Sequence, residues 1–178
     1  MKIFVTGPPG IGKTTLLARV ADRLKAAGVR VGGFITLEVR EGGRRIGFDV
    51  FDLMTGAQAP LARVGKGKPR VGRYALKEDG LVLSRVSLLR ALREDDVVLL
   101  DEIGPMELKD EPLAATIEAA LESEKPLVAS VHAKSAHPLA APARKTAIRL
   151  NEENRDALVN ALSEKVLEVV RGSAKEDL

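Results

Sequence analysis

The 178-residue chain contains no cysteine and no tryptophan, one tyrosine (Tyr74) and two histidines (His132 and His137). Without cysteine there is no disulfide framework, thiolate metal site or cysteine nucleophile, and two histidines do not furnish a histidine-based metal cluster. Aromatic residues are only 3% of the chain. The stacking platforms that grip single-stranded nucleic acid are therefore missing, and the core has to be built from Leu, Val, Ile and Ala. No apolar run approaches the ~20 residues that span a bilayer, and the apolar start at Ile3 to Val5 runs straight into glycine and proline, unlike a signal peptide. The expected compartment is the cytoplasm, with no membrane partner. An excess of one charge is lacking too: 28 basic and 25 acidic residues leave a net charge of +3. That balance suits an anionic ligand without requiring nucleic acid, which is not expected as a partner. Three Asn and one Gln beside 30% charged residues form a composition typical of heat-adapted proteins.

What is present is a regular alternation of strand and helix signals. Lys2 to Thr6 is a short β-branched run, and from Lys13 the residues Leu16, Leu17, Val20, Ala21 and Leu24 keep helical spacing until Gly28. A strand from Val31 to Val39, a Gly42-Gly43 turn and the alternating Ile46, Phe48 and Val50 predict a β-hairpin. The segment from Met54 to Arg73 contains Gly and Pro, shows no period and reads as irregular. Then come a helix of about Leu81 to Arg93, an apolar strand Val97 to Leu100, a helix of roughly Glu111 to Ser123 and a strand Leu127 to His132. A short strand over Thr146 to Leu150 and a final helix opened by Asn151 complete the pattern, with residues 173–178 as a frayed tail. Residues 1–172 read as one α/β domain: a mostly parallel mixed sheet flanked by helices, with the hairpin inserted.

Two motifs carry chemistry. Gly7-Pro8-Pro9-Gly10-Ile11-Gly12-Lys13-Thr14 matches G-x-x-x-x-G-K-[ST] at every fixed position, between a strand and a helix. The glycines let successive N–H groups converge on phosphate oxygens, and the helix that follows presents its positive end to the same anion. Lys13 reaches the β- and γ-phosphates, and the Thr14 hydroxyl can ligate Mg²⁺. The second motif is Val97-Val-Leu-Leu-Asp101-Glu102, an apolar strand that delivers two carboxylates at its C-terminal edge, where ligands bind in parallel α/β sheets. Asp101 is the expected Mg²⁺ holder and Glu102 the base that polarises an attacking water. The motifs are separated by further strands, as in the additional-strand, catalytic-glutamate division of P-loop NTPases. Asp101-Glu-Ile-Gly104 also fits the D-x-x-G of switch GTPases, but no N-K-x-D base-reading motif accompanies it; Asn154-Arg155-Asp156 lacks the lysine.

Weaker candidates surround these. Ser130 and His132, at the end of the Leu127 strand, could sense the γ-phosphate. The basic run Arg63 to Arg73 carries five basic residues and no acid. It could close as a lid, with Lys68 or Arg73 supplying charge in the transition state, as could Arg144 and Lys145; a solvated basic loop is the default reading.

Four further segments resemble the nucleoside-triphosphatase family of thermophiles and animals, where it is called cancer-related nucleoside-triphosphatase. They are Gly32-Gly-Phe-Ile-Thr36 with Glu38-Val-Arg40 and Gly42-Gly-x-Arg45-x-Gly47-Phe48; Val71-Gly-Arg-Tyr74; Asp101-Glu-Ile-Gly-Pro-Met-Glu-Leu108; and the pair Asn154-Arg155. The resemblance implies a P-loop NTPase fold and Mg²⁺-dependent hydrolysis of ATP, GTP, CTP and UTP to diphosphate and phosphate. It implies nucleotide contacts along Gly7, Pro8, Pro9, Gly10, Ile11, Gly12, Lys13, Thr14 and Thr15, and again at Asp101, Glu102, Ile103 and Gly104. A small-molecule or nucleotide kinase on the same loop, or an ATP-binding module coupled to nucleic acid, are the alternatives. Oligomeric state is left open, with a monomer favoured.

Overall fold

The structure is a computed structural model that describes residues 1–176. The chain runs β1 (Lys2–Gly7), α1 (Lys13–Ala26), β2 (Val31–Glu41), β3 (Arg44–Asp52), β4 (Gln58–Val64), β5 (Arg70–Val71), β6 (Tyr74–Leu76) and α2 (Glu78–Glu94). It continues with β7 (Val97–Ile103), a 3-10 turn (Glu107–Lys109), α3 (Glu111–Glu122), β8 (Leu127–His132), α4 (Ala140–Thr146), β9 (Ile148–Arg149) and α5 (Arg155–Glu176). Among the described residues, nine strands form one mixed sheet in the order β5-β6-β4-β3-β2-β7-β8-β1-β9. Pairing is parallel from β2 across β7, β8 and β1 to β9, and antiparallel from β2 outward to β5. β8 separates β1 from β7, so the phosphate loop and the acidic strand end flank one intervening strand.

The burial pattern explains why the parallel half reads as unbroken apolar runs. In β7, Val98 and Leu100 join one core cluster with Leu88 of α2 and Leu113 and Ile117 of α3. Val97 and Leu99 join the other, with Leu17 and Val20 of α1 and Leu162 and Val166 of α5. Both faces of the strand are covered, so both sets of alternating side chains are apolar.

Three expectations change. The segment from Met54 to Arg73, read as irregular, contributes β4 and β5, and the adjoining Tyr74–Leu76 is β6; together they extend the hairpin into an antiparallel wing whose four strands beyond β2 are β3 to β6. Pro60 masks β4 in the sequence. It sits opposite Asp49, where the β3–β4 register shifts, the position at which a strand tolerates a residue without an N–H. The run expected as strand from Thr146 is shorter, and it is preceded by α4, whose Pro142 lies in the first turn and hides the helix while costing it no hydrogen bond. The final helix begins at Arg155 rather than beside Asn151. The Asn151 side chain instead accepts from the amides of Glu153 and Asn154 and closes the entering turn. That helix continues to Glu176, into the segment expected as a frayed tail; residues 177 and 178 of that segment lie outside the described residues. No helix is long and apolar enough to cross a membrane among the described residues.

Candidate functional site

The phosphate loop joins β1 to α1 at the C-terminal edge of the parallel strands. Gly10 and Gly12 hold φ of 79° and 106°, left-handed conformations that a side chain would strain. Among the described residues no side chain caps α1, and its first turn carries no acid, so the leading amides of the helix are left for an anion. Lys13 Nζ curls across the loop, donating to the carbonyls of Gly7 at 3.2 Å and Pro8 at 3.4 Å.

Asp101 is the junction of the site. It is almost fully buried, and its Oδ2 accepts from the Thr14 hydroxyl at 2.5 Å and from the Thr36 amide at 3.4 Å. Its Oδ1 accepts from the Ser130 hydroxyl, while its backbone carbonyl accepts from Thr36 Oγ1 at 2.6 Å. Three elements thus fix one carboxylate beside the hydroxyl that begins α1. Two hard oxygens side by side at the wall of a cleft suit Mg²⁺, which takes few protein ligands and keeps several waters. Among the described residues no group of three His, Asp or Glu side chains offers a competing metal site.

Glu102 folds over Gly104: a Cβ on that glycine would lie 2.8 Å from Glu102 Oε1. Burial and the neighbouring Asp101 charge, opposed by Lys13, push the Glu102 carboxyl up to about 7. That places its ionisation near neutral pH, where a base is most effective. Glu107, on the 3-10 turn beyond, is buried, and desolvation together with the Glu102 and Asp101 charges holds its carboxyl well above the usual range. His132 lines the same space, its imidazole kept below its ordinary value by burial, Lys13 and Lys134.

These groups line a cleft of about 1090 Å³ together with Thr36, Glu38, Arg45, Phe48, Tyr74, Arg144 and Arg149. The far wall comes from the antiparallel wing. Phe48 and Tyr74 meet edge to face at 5.3 Å, the Arg45 guanidinium lies 5.5 Å over the Phe48 ring, and Arg45 pairs with Glu38 at 2.5 Å.

The structure therefore brings together Gly7, Pro8, Pro9, Gly10, Gly12, Lys13, Thr14, Thr15, Asp101, Glu102 and His132 at one cleft. Ile11 and Ile103 pack into the two apolar cores beside it. Ser130 is fully buried and turned to Asp101, so its reach into the site runs through that carboxylate. Lys68 and Arg73 fall outside the cleft lining. Lys68 is exposed in the turn before β5, and the Arg73 guanidinium stacks 5.2 Å over Tyr74 and donates to the Arg45 carbonyl at 3.1 Å. The positive charges that do line the cleft, besides Lys13, are Arg45, Lys134, Arg144 and Arg149. Glu38 and Phe48 were missed as site residues, although they are direct partners in the β2–β3 register. Their signal is the alternation of the hairpin, which puts every second residue on the cleft face.

Comparison with known proteins agrees with this geometry. A family model described as NTPase matches residues 2–163. The chain is 42% identical to the nucleoside-triphosphatase THEP1 of Methanopyrus kandleri over 93% of its own length and 95% of the relative's. It is 39% identical to the protein of the same name from Methanocaldococcus jannaschii, covering 94% and 98%. Its fold matches the crystal structure of THEP1 from the hyperthermophile Aquifex aeolicus with a TM-score of 0.80 at 32% identity, over 91% of this chain and 96% of that one. It matches the solution structure of a human cancer-related nucleoside triphosphatase with a TM-score of 0.72 at 36% identity, over 93% and 96%. With a phosphate loop, a buried aspartate on its threonine and a glutamate beside them, the chain belongs to the NTPase family of P-loop nucleoside-triphosphatases.

Proposed function

We propose that the protein hydrolyses nucleoside 5′-triphosphates to diphosphate and phosphate, depends on Mg²⁺ and makes little distinction among bases. The observation that carries this reading is the 2.5 Å contact between Thr14 and Asp101. It ties the phosphate loop to the end of β7, which supports the next carboxylate, Glu102, as the group that faces the γ-phosphate. Thr14 and Asp101 would hold Mg²⁺, which would supply neutralising charge to the β- and γ-phosphates. Thr36 and Ser130 keep Asp101 oriented, and Lys13 with the loop amides stabilises charge that develops on the leaving phosphate. Glu102, ionised above about 7, accepts a proton from the attacking water. Burial raises the carboxyls of both Glu102 and Glu107, in keeping with a site that favours a base poised near neutral pH.

Phosphate release from ATP, GTP, CTP and UTP with Mg²⁺, in wild type and Glu102→Gln, tests the reading. The amide substitution should lower kcat by about 10²- to 10⁴-fold, the usual weight of a general base, while nucleotide still binds. Wild-type turnover in that variant would remove Glu102 from the chemistry. The cleft of about 1090 Å³ extends from the phosphate loop to Arg45, Phe48 and Tyr74 of the wing, room that would suit an acceptor and supports a second reading as a kinase. ADP formation that needs an added acceptor, with a phosphorylated product, would establish that reading in place of hydrolysis.

A further inference from the structure

A second, smaller cavity of about 220 Å³ opens beside the phosphate loop, lined by Gly12, Thr15, Leu16, Arg19, Arg155 and Asp156. It shares Gly12 and Thr15 with the main cleft, whereas Asp101, Glu102 and His132 belong to the main cleft alone. It has about one fifth of the volume of the main cleft, room for a ring system and not for a whole nucleotide. Lys13 addresses the β- and γ-phosphates, so the phosphate chain runs from the Glu102 end of the cleft towards Thr14 and Thr15. The smaller cavity continues that path at the nucleoside end.

The Asn154-Arg155 pair, noted in the sequence and unused by the hydrolytic machinery, builds this cavity. Asn154 Nδ2 donates to the Arg149 carbonyl at 2.9 Å, and Asn154 Oδ1 accepts from the Asn151 amide at 2.9 Å. Asn151 Oδ1 accepts in return from the Asn154 amide at 2.8 Å. The entry to α5 is thereby tied to β9, next to the strand that feeds the phosphate loop. Across the cavity Asp156 is engaged by Arg19 at 2.5 Å, which cross-links α5 to α1. Arg155 is exposed and, among the described residues, its guanidinium makes no hydrogen bond or ion pair.

We propose that this cavity is the nucleobase subsite, with the planar Arg155 guanidinium stacked on the face of the base and the exposed Arg19–Asp156 pair along its rim. Stacking addresses the π-face that all bases share and ignores the edge that distinguishes them. The subsite thereby accounts for loose base selectivity. The inference rests on the nucleoside-triphosphatase reading for the direction of the phosphate chain.

The test is calorimetric titration of ADP, GDP, CDP and UDP, and of pyrophosphate as a baseless probe, into wild type, Arg155→Ala and Arg155→Lys, with ATP turnover followed in parallel. Arg155→Ala should weaken all four nucleoside diphosphates about 10-fold, within the range of a partly desolvated cation–π contact, and leave pyrophosphate unchanged. The KM for ATP should rise by the same factor with kcat within two-fold. Arg155→Lys keeps the charge but loses the planar fork, and should recover little of the affinity. Equal weakening of pyrophosphate would make Arg155 a phosphate contact, and unchanged nucleotide affinity would remove it from the site; either result overturns the proposal. Because the titrations read binding without turnover, a wild type that binds nucleotide but releases no phosphate would count against the hydrolase reading alone.

Discussion

The parallel half of the sheet and the antiparallel wing meet at β2 and serve the site in different ways. β7 and β8, buried on both faces, carry Asp101, Glu102 and Ser130 at their C-terminal ends, where backbone register fixes side-chain position. The wing, β3 to β6, has strands that are only partly buried and contributes Arg45, Phe48 and Tyr74 as a wall. The proposed chemistry thus stands on strands locked between two helical layers. The surfaces that contact whatever lies beyond the γ-phosphate stand on a sheet edge, where residues can change without disturbing the core.

This division predicts that the wing depends on one buried polar anchor. Asp52, at the end of β3, is fully buried. Its Oδ2 accepts from Ser87 at 2.7 Å and Arg90 at 2.5 Å on α2, and its Oδ1 from the amides of Met54 and Thr55. Burial pushes its carboxyl up, but those partners outweigh burial and hold it below the usual range. A carboxylate lowered by folding contributes stability that is present above its unfolded value of about 3.9 and is lost as pH falls through the folded one. Asp52→Ala leaves the Arg90 charge without its partner and should cost about 3–5 kcal/mol, read by denaturant unfolding at pH 7. A loss below ~1 kcal/mol would mean that the wing holds itself together by strand pairing.

Next in size is a substitution on the parallel side. In Gly104→Ala the new Cβ falls 2.8 Å from Glu102 Oε1, the free end of a flexible side chain, so the carboxylate shifts and the fold does not. Displacing a catalytic group by about 1 Å can cost on the order of 10² in rate. The expected outcome is a kcat about 10²-fold lower with an unchanged thermal midpoint and nucleotide affinity. A near-normal kcat would show that Glu102 works from a different rotamer.

How much of this was legible in the residues follows the same division. The parallel strands declare themselves because burial on two faces demands apolar runs, and the phosphate loop because its chemistry fixes residue types at fixed spacing. The wing does not. Pro60 interrupts β4 and the short pairing of β5 with β6 is set by a partner strand, not by local preference. Asp101 and Glu102 could be read from the end of a strand, but the clamp of Thr14, Thr36 and Ser130 on Asp101 joins residues up to 87 positions apart and has no local signature. The Asn154-Arg155 pair was visible as a motif, yet only the folded chain places it beside Thr15.

A smaller effect is expected at the other edge of β7. Asp95 is fully buried and, among the described residues, neither carboxyl oxygen has a partner. Burial raises its carboxyl, with Arg90, Arg30 and Lys125 opposing. The folded state then holds a proton that the unfolded chain releases, so stability falls as pH rises from about 4, the unfolded value, to the folded one. Asp95→Asn removes this slope and should be more stable than wild type at pH 7 by on the order of 1 kcal/mol, a common scale for single substitutions. Thermal midpoints of the two proteins at pH 4 and pH 7 measure it; a difference between them that does not grow with pH would contradict the account.

The smallest expected effects fall on the basic run that the sequence offers as a lid. Lys68 is exposed, and neither it nor Arg73 lines the cleft, where Arg45, Lys134, Arg144 and Arg149 supply charge instead. Arg73 lies over Tyr74 and donates to its hydroxyl at 3.1 Å, a surface contact of about 0.5–1 kcal/mol. Lys68→Ala and Arg73→Ala should therefore leave kcat and KM for ATP within two-fold, with Arg73→Ala lowering the thermal midpoint slightly. A 10-fold fall in kcat for either variant would mean that the segment between β4 and β6 swings over the nucleotide during turnover. The wing would then take part in the chemistry, and the division between a reacting half and a supporting half would fail.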